Sequence, residues 1–280
     1  GDMRFVMRES ETRGVRCVTG SKDVLKLARE NGVSVETAAR EARYAFLDAQ
    51  NAKVIATAHH AGDMAETVIM NLCRGSGLNG LCGIPEVRGR YVRPLLDFSR
   101  DDIESYAAAH GVSFVHDSTN DDTAYTRNYV RAQVLPRLTA VNDQAVKHIA
   151  ESAKRLAEDE AALMQAAENA AGLHMQENGS VIIDIGALLA QSGAVAKRMI
   201  RIAGKRCAGL TDLSSRNMDD VLALARKELP GKRIELPRGV IAAVEYGKLC
   251  IGKNEIKKYN DVLIGFRGEG RYTPGKWVLD

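Results

Sequence analysis

Four side chains that can bind a cation or move a proton lie close together in the sequence, at His59, His60, Asp63 and Glu66. An apolar run, residues 54–58, precedes the two histidines, and a helical pattern that carries both acids follows them. Asp63 and Glu66 are three residues apart, so on a helix they share one face and point into the same volume. Two carboxylates placed in this way are suited to hold an amine or a metal ion, or to accept a proton.

Other interpretations of the same residues stay open. Asp63 would be an ordinary N-terminal cap and Glu66 the matching capping-box acid, worth about 1 kcal/mol of helix stability, with both histidines satisfied at the strand end. The four residues could also ligate a divalent metal ion, since imidazole and carboxylate are common ligands of zinc, iron and manganese. The other four histidines show no ligand spacing, which reduces the weight of a metal site.

A strand and a helix have to bring these side chains together. A strand over residues 54–58 would deliver the histidines to its carboxyl end, and a helix over residues 63–73 would start beside them, where open parallel α/β sheets bind their ligands. Further helices are predicted over residues 24–30 and 35–47, the second capped by Ser34. The alternation of helices with strands is typical of a parallel sheet.

Two more strands are predicted in the same half of the chain, at residues 15–18 and 91–96. The second is expected at a sheet edge because Pro94 interrupts it. A helix capped by Ser99 should then run to His110. Its core-facing residues are expected to be Ile103, Tyr106 and Ala107.

A second dense polar segment, residues 116–131, ends with Arg127, Asn128 and Arg131. Arg127 and Arg131 are four residues apart, so a helix would place them on one side, where they could clamp an anion. The alternative is a capped helix start with a solvated basic face. The glycine-rich loop at residues 74–80 is not a Walker loop, because the Gly-Lys-Ser/Thr ending is absent.

Basic residues are concentrated in the last third of the chain, beyond a long helix predicted over residues 143–171. Residues 195–280 carry 18 Lys and Arg against 10 Asp and Glu, in a region patterned as helices and then strands. At helical spacing one basic face is formed by Lys197, Arg201 and Lys205, with Arg198 beside them. Such a stripe can follow a phosphate backbone, although it is also often only a solvated face.

Composition indicates a soluble, cytoplasmic protein. The length of 280 residues is enough for two domains. The five cysteines are scattered and form no Cys-x-x-Cys pair, which indicates reduced thiols. No apolar run approaches the roughly 20 residues that a membrane helix needs. No membrane partner is therefore expected, and a homodimer is left open.

Five segments in register resemble one family. They are residues 36–44, 59–67, 74–78, 93–96 and 117–131. Together they resemble the tRNA(Ile)-lysidine synthetases of the PP-loop ATP pyrophosphatase group. The resemblance is strong over residues 2–138 and weaker over residues 195–252, where Gly231–Pro237 and Tyr246–Leu249 fit the family's substrate-binding domain.

The resemblance implies that ATP, with Mg²⁺, adenylates the wobble cytidine of tRNA(Ile) with anticodon CAU, and that free lysine then displaces AMP. It implies a partial doubly wound parallel α/β sheet (residues 1–140), a long connecting helix (141–175), a smaller α+β substrate-binding domain (176–254) and the start of a further domain (255–280). The residues expected to take part in catalysis are Asp63, Glu66, His59 and Arg40. Those expected to bind substrate or phosphate are Arg74, Arg127, Asn128 and Arg131. The tRNA is expected on Lys197, Arg198, Arg201 and Lys205, and no metal site is expected from the protein alone.

Two features depart from the family pattern. Gly62 occupies a position that is usually acidic, and the phosphate loop Ser-Gly-Gly-x-Asp-Ser is found nowhere in residues 1–280. We therefore expect a fragment, truncated at both ends, that is inactive with ATP by itself. The alternatives are a non-catalytic tRNA-binding paralogue and, with less support, a metal-dependent hydrolase that uses His59, His60, Asp63 and Glu66.

Overall fold

The computed structural model describes residues 2–115, 122–170, 172–210, 213–227 and 231–253. They fall into two compact units, which divide between Ala166 and Ala167. The predicted domain boundaries stay predictions. In the described part of the chain, no helix is both long enough and apolar enough to span a membrane.

The first unit is mainly helical. Its helices are α1 (Asp2–Thr12), α2 (Val24–Asn31), α3 (Val35–Asp48), α4 (Ala61–Cys73), α5 (Leu78–Leu81), α6 (Arg100–Ala109), α7 (Thr126–Tyr129), α8 (Leu135–Val141) and α9 (Ala145–Asn169), whose last residues belong to the second unit. The predicted caps are confirmed, because Ser34 accepts a hydrogen bond from the Thr37 amide and Ser99 from the Asp102 amide. Tyr106, predicted to face the core, is 63% exposed and stacks on His110, so this expectation was wrong.

A three-stranded sheet supports these helices. Its strands are β1 (Ile55–Ala56), β2 (Val87–Arg88) and β3 (Tyr91–Val92), in the order β1-β3-β2. β1 and β3 are parallel, as expected for the α/β class, and β2 is antiparallel to β3. The predicted edge position of β3 was wrong, since β3 lies between the other two. Pro94 is tolerated because the strand pairing ends at Val92, before the residue that lacks an N–H.

The strand predicted at residues 15–18 is also absent, and the backbone there is irregular. Val15 and Val18 are both exposed. A strand exists only through hydrogen bonds to a neighbouring strand, and none of the strands in the described residues pairs with this segment. An apolar β-branched pattern therefore did not suffice to make a strand.

Helix α4 is fixed by packing on more than one side. Met64 and Ala61 pack with Leu96 and with Ala150 and Ala153 of α9. A second group of buried residues joins Ala65 and Met70 of α4 to Val130 and Leu135. Because both groups involve the first two turns of α4, the helix start is held rigidly in the core.

The second unit is an antiparallel sheet covered by helices. Its elements are β4 (Leu173–Met175), β5 (Val181–Asp184), α10 (Ile185–Leu189), α11 (Gly193–Ala208), α12 (Ser215–Lys227), β6 (Arg233–Leu236), β7 (Val240–Glu245) and β8 (Lys248–Lys253). The strand order is β4-β5-β8-β7-β6. Helix α11 packs on β5 and β8 through an apolar face that includes the fully buried Met199 and Ile200. This arrangement agrees with the predicted smaller α+β region after a long helix.

Candidate active site

His60 caps the start of α4. The His60 ring accepts a hydrogen bond from the Gly62 amide at Nδ1 (3.0 Å), and the Asp63 carboxylate accepts one from the His60 amide (3.0 Å). This is a capping box in which His60 is the cap and Asp63 the third helical residue. The predicted capping box of Asp63 with Glu66 was therefore wrong, because the cap is His60, three residues before Asp63, which leaves Glu66 outside the box.

The small residue at position 62 follows from this cap. A Cβ atom placed on Gly62 would lie 2.6 Å from Cε1 of His60, far inside van der Waals contact. Any side chain here has to displace the imidazole from the Gly62 amide. The departure from the family pattern is thus matched to a histidine cap.

Glu66 is the most deeply buried acid of the site, with 1% of its surface exposed. Arg131 binds it with two nitrogens, Nε to Oε1 at 2.6 Å and Nη2 to Oε2 at 3.1 Å. The same Nη2 lies 3.5 Å from Oδ1 of Asp63. One guanidinium therefore bridges the two carboxylates whose spacing first marked this segment.

Arg127, one helical turn before Arg131, also lies near the Glu66 carboxylate. Its Nε lies 3.8 Å from Oε2 of Glu66, and its Nη2 donates to the Thr67 hydroxyl at 3.3 Å. The Nε–H of Arg127 is buried and has no acceptor within hydrogen-bond distance in the described residues. Arg127 and Arg131 thus converge on one protein carboxylate, and their expected contact with substrate or phosphate stays a prediction.

The backbone that carries Arg131 is unusual. α7 ends at Tyr129, and residues Val130–Val134 form a π-helical turn before α8 begins. A π turn holds one residue more than an α turn and is often found at functional sites. It sets the position of Arg131 relative to Glu66 on α4.

Burial changes the protonation of two groups here. The burial of Glu66 raises the pKa of its carboxyl, against the opposing effect of the Arg131 hydrogen bond. Burial also lowers the pKa of His59, although Asp63 acts to raise it. His59 is therefore a neutral imidazole at neutral pH, and its Nδ1 is hydrogen-bonded to the Thr57 hydroxyl at 2.9 Å.

A cleft of about 320 Å³ opens at the carboxyl end of β1, between α3 and α4. Its charged lining consists of three arginines and one acid, Arg40, Arg43, Arg127 and Asp63, with His59 between them. Arg40 is held over the ring of Tyr44, 5.1 Å from its centroid. Arg43 was missed in the sequence, although it lies one helical turn after Arg40 and so shares its face. The excess of guanidinium groups makes this cleft suited to anions.

A second cavity, of about 660 Å³, lies against the first turns of α4 and has the opposite character. Besides Glu66 it is lined by four aspartates, and Arg100, Arg131 and Lys147 are its cations. The aspartates are Asp97, Asp101, Asp102 and Asp143. Asp63 lines the first cavity and Glu66 the second, so the carboxylate pair separates a basic cleft from an acidic one.

Two predicted residues lie apart from both cavities. Arg74 follows the last residue of α4 and donates to Asn71 at 3.5 Å. It is about 16 Å along the helix axis from Asp63, at 1.5 Å per residue. Asn128 donates to the Asp122 carbonyl at 2.9 Å and so fixes the segment before α7.

In the second unit the predicted basic stripe is only partly exposed. Arg198 is buried, with 8% of its surface exposed, and its Nη1 donates to the Ala194 carbonyl at 2.7 Å. Its assignment to the tRNA surface was therefore wrong, because α11 turns this position into the core. Lys197 lies 2.5 Å from Asp219 of α12, whereas Lys205 is exposed at the end of α11.

No cluster of three or more His, Cys, Asp or Glu side chains that could hold a metal ion occurs in the described ranges. The positive charge of Arg131 occupies the place between Asp63 and Glu66 where a cation would have to sit. The geometry is thus that of an ion-pair network between two cavities.

Comparison with known proteins gives the site a family context. Residues 1–138 match the model of the PP-loop domain. The chain is 35% identical over 289 residues to the tRNA(Ile)-lysidine synthase of Geobacter sulfurreducens, an alignment that covers 99% of this chain and 60% of that protein. It is 35% identical over 272 residues to the enzyme of Caldanaerobacter subterraneus subsp. tengcongensis, covering 94% of this chain and 58% of the relative.

A shorter match, 40% identical over 158 residues, joins it to the tRNA(Ile)-lysidine synthase of Thermosipho africanus and covers 54% of this chain and 37% of the relative. The chain spans about 60% of the length of the Geobacter protein. The resemblance seen in the five sequence segments is thereby confirmed. Residues 1–138 thus match the PP-loop domain, and over nearly its whole length the chain is similar to the tRNA(Ile)-lysidine synthases.

Proposed function

We propose that this chain forms the lysine-handling and nucleotide-handling surfaces of an enzyme that joins lysine to the wobble cytidine of tRNA(Ile) with anticodon CAU. ATP adenylates the base carbonyl at C2 and releases pyrophosphate, and the lysine amine then displaces AMP. The observation that carries this proposal is the carboxylate pair Asp63 and Glu66, placed between a basic cleft and an acidic one. A reaction of an anionic nucleotide with a cationic amine needs such a pair of neighbouring surfaces.

The basic cleft suits the nucleotide. Arg40, Arg43 and Arg127 line it, and the buried Nε–H of Arg127 is a donor without an acceptor in the described residues. A phosphate oxygen would satisfy this donor and offset the guanidinium charges. Mg²⁺ would accompany ATP, because phosphate oxygens are among its preferred ligands.

The acidic cavity suits the amine. Glu66 and four aspartates line it, and an ammonium group is stabilised by carboxylates at hydrogen-bond distance. Arg131 holds Glu66 and reaches Asp63, so the incoming amine has to share these carboxylates with a guanidinium. Arg131 thereby fixes the two carboxylates in place before the substrate enters.

The attacking amine has to lose a proton. His59 lines the basic cleft next to Asp63 and is held neutral by burial, so it would accept this proton once the amine passes the carboxylate pair and reaches the adenylated base on the cleft side. This gives His59 the role of general base in the proposed reaction. The tRNA would lie on the exposed cations of the second unit, where Lys205 at the end of α11 remains accessible.

The deciding assay is ATP-dependent incorporation of labelled lysine into an unmodified tRNA(Ile) transcript, with the full-length gene product. Incorporation is expected, and replacing the first anticodon cytidine should abolish it. Glu66→Gln should remove incorporation and leave tRNA affinity within a few-fold. The control is Glu158→Gln, on the exposed face of α9. No incorporation with tRNA binding retained would replace this proposal by the non-catalytic tRNA-binding protein.

A further inference from the structure

Tyr246 is the one Phe, Tyr or Trp side chain among the second unit's described residues, and 87% of its surface is accessible. It forms, with Gly247, the two-residue turn that joins β7 to β8. The φ angles of Tyr246 and Gly247 are 44° and 73°, which is the sign pattern of a type I′ turn. An aromatic residue is therefore held in water, at the tip of a hairpin, by a backbone conformation that disfavours it.

Local folding does not account for this choice. The first position of a type I′ turn favours asparagine, aspartate or glycine, because these residues reach positive φ with little steric cost. A bulky residue persists in such a conformation only where the surrounding structure enforces it, and such positions are concentrated at functional sites. Tyr246 gains no burial in exchange for the strain, so its side chain is free for an external partner.

Two lysines lie at this end of the sheet, together with two acids. Lys248 follows the turn directly and is exposed. Lys232 is brought to the same end of the sheet, because its carbonyl accepts from the Val244 amide at 3.1 Å. The two segments that the sequence singled out, Gly231–Pro237 and Tyr246–Leu249, thus meet here. Glu245 and Asp184 face Lys248 across the strands, and Asp184 caps α10 with one of its oxygens.

We propose that Tyr246 is a stacking platform for an unpaired nucleobase of RNA, with Lys232 and Lys248 as contacts for the flanking phosphates. An exposed aromatic ring next to cations is the combination that binds single-stranded nucleic acid, since every base has a face that stacks. The excess of basic residues in 195–280 favours a polyanion over a protein partner. The proposal deepens the proposed function and rests on its assignment of RNA as the partner.

The test uses a variant that separates stacking from folding. Tyr246→Asn creates an Asn-Gly pair, the preferred type I′ sequence, so the melting temperature should stay equal or rise. Affinity for the unmodified tRNA(Ile) transcript should fall by roughly 5- to 150-fold, the range of one lost base–aromatic stack. Tyr246→Phe should bind like the original protein. Val141→Asn, at an equally exposed position of the first unit, is the control and should change nothing.

A single-stranded oligonucleotide should lose affinity in Tyr246→Asn as the transcript does, whereas weak binding of a blunt duplex should not change. Lys232→Ala and Lys248→Ala should each lower the salt dependence of binding by about one counterion.

Two results would overturn the proposed stacking role of Tyr246. One is unchanged transcript binding by Tyr246→Asn, and the other is an equal loss of affinity in Tyr246→Phe. In the full-length protein, Tyr246→Asn should raise the KM for tRNA at constant kcat. If the full-length protein does not incorporate lysine, but Tyr246→Asn still weakens RNA binding, the proposed function is refuted and the stacking platform is not.

Discussion

Arg131 binds Glu66 through two parallel contacts, at 2.6 and 3.1 Å, although 65 residues separate them in the chain. Glu66 is buried, so the pair lies in a medium where an unpaired charge is costly. The same guanidinium also reaches Asp63. This single arginine therefore contacts both carboxylates and fixes how they are oriented.

Removal of Arg131 should destabilise the first unit in a pH-dependent way. Arg131→Met leaves the Glu66 carboxylate buried without its partner, at an expected cost of about 3 kcal/mol at neutral pH. Burial already raises the pKa of Glu66, and loss of Arg131 should raise it further. A folded-state pKa above the unfolded value means that the penalty appears only as pH rises through this range. Urea unfolding at pH 4 and pH 8 measures this loss of stability. An equal loss of unfolding free energy at both pH values would contradict this account.

A side chain at position 62 should weaken the start of α4. Gly62→Ala places its Cβ against the His60 ring, so the cap on the Gly62 amide is lost, at a cost of about 1 kcal/mol. The matched control is Gly193→Ala in the first turn of α11, where an added Cβ meets no atom within 4 Å. Thermal unfolding of both variants decides the matter. Comparable melting temperatures for the two would show that the histidine cap contributes little.

His59 should make stability fall in mild acid. Its folded-state pKa is lowered by burial, so the unfolded chain takes up the proton first as pH drops below about 6.5. Stability from this residue is present above that pH and decreases until the folded-state pKa is reached. Unfolding curves between pH 7.5 and 5 should show less acid sensitivity in His59→Gln. A direct check is the NMR titration of the imidazole, and a midpoint above 6.5 would refute the assignment.

Substitution of Lys205 should affect RNA binding and substitution of Arg198 should affect stability, although both are basic residues of α11. Lys205→Ala removes an exposed cation, so tRNA affinity and its salt dependence should fall with little change in stability. Arg198→Ala removes a buried side chain bonded to the Ala194 carbonyl, so the free energy of unfolding should fall instead. Filter binding at several salt concentrations, together with urea unfolding, separates the two effects. If Arg198→Ala changes the salt dependence of tRNA binding, this residue does contact RNA and its exclusion from the RNA-binding surface was mistaken.

Local patterns predicted much of the fold and part of the site. Ser34 and Ser99 were recognisable as caps because a cap depends on its immediate neighbours. The helical spacing of Arg127 and Arg131 predicted that they lie on one side of the chain. It did not predict that the group they approach is the Glu66 carboxylate. Glu66 meets them only through tertiary packing between α4 and a segment about 60 residues later.

Other errors have the same origin. Helical spacing shows which residues of α11 share a face, but the position of the sheet decides that Arg198 is turned into the core. The strand predicted at residues 15–18 needed a neighbour that local sequence does not reveal. The His60 cap was missed because histidine is an uncommon residue at that position, and Gly62 was its only local sign.

The π-helical turn at Val130–Val134 makes the site sensitive to chain length. Such a turn contains one residue more than the α-helical alternative, so deletion of Ala132 should let α7 and α8 join in one regular helix. Each residue of a regular α-helix advances the direction of side chains by about 100°, so one residue too many would turn all later side chains by that angle. The π turn accommodates the additional residue within a single turn, so Arg131 can contact Glu66 while Leu135, further along, packs against α4. A further residue inserted beside Ala132 would have no such turn to accommodate it, and should rotate Arg131 and Leu135 relative to each other by about 100°.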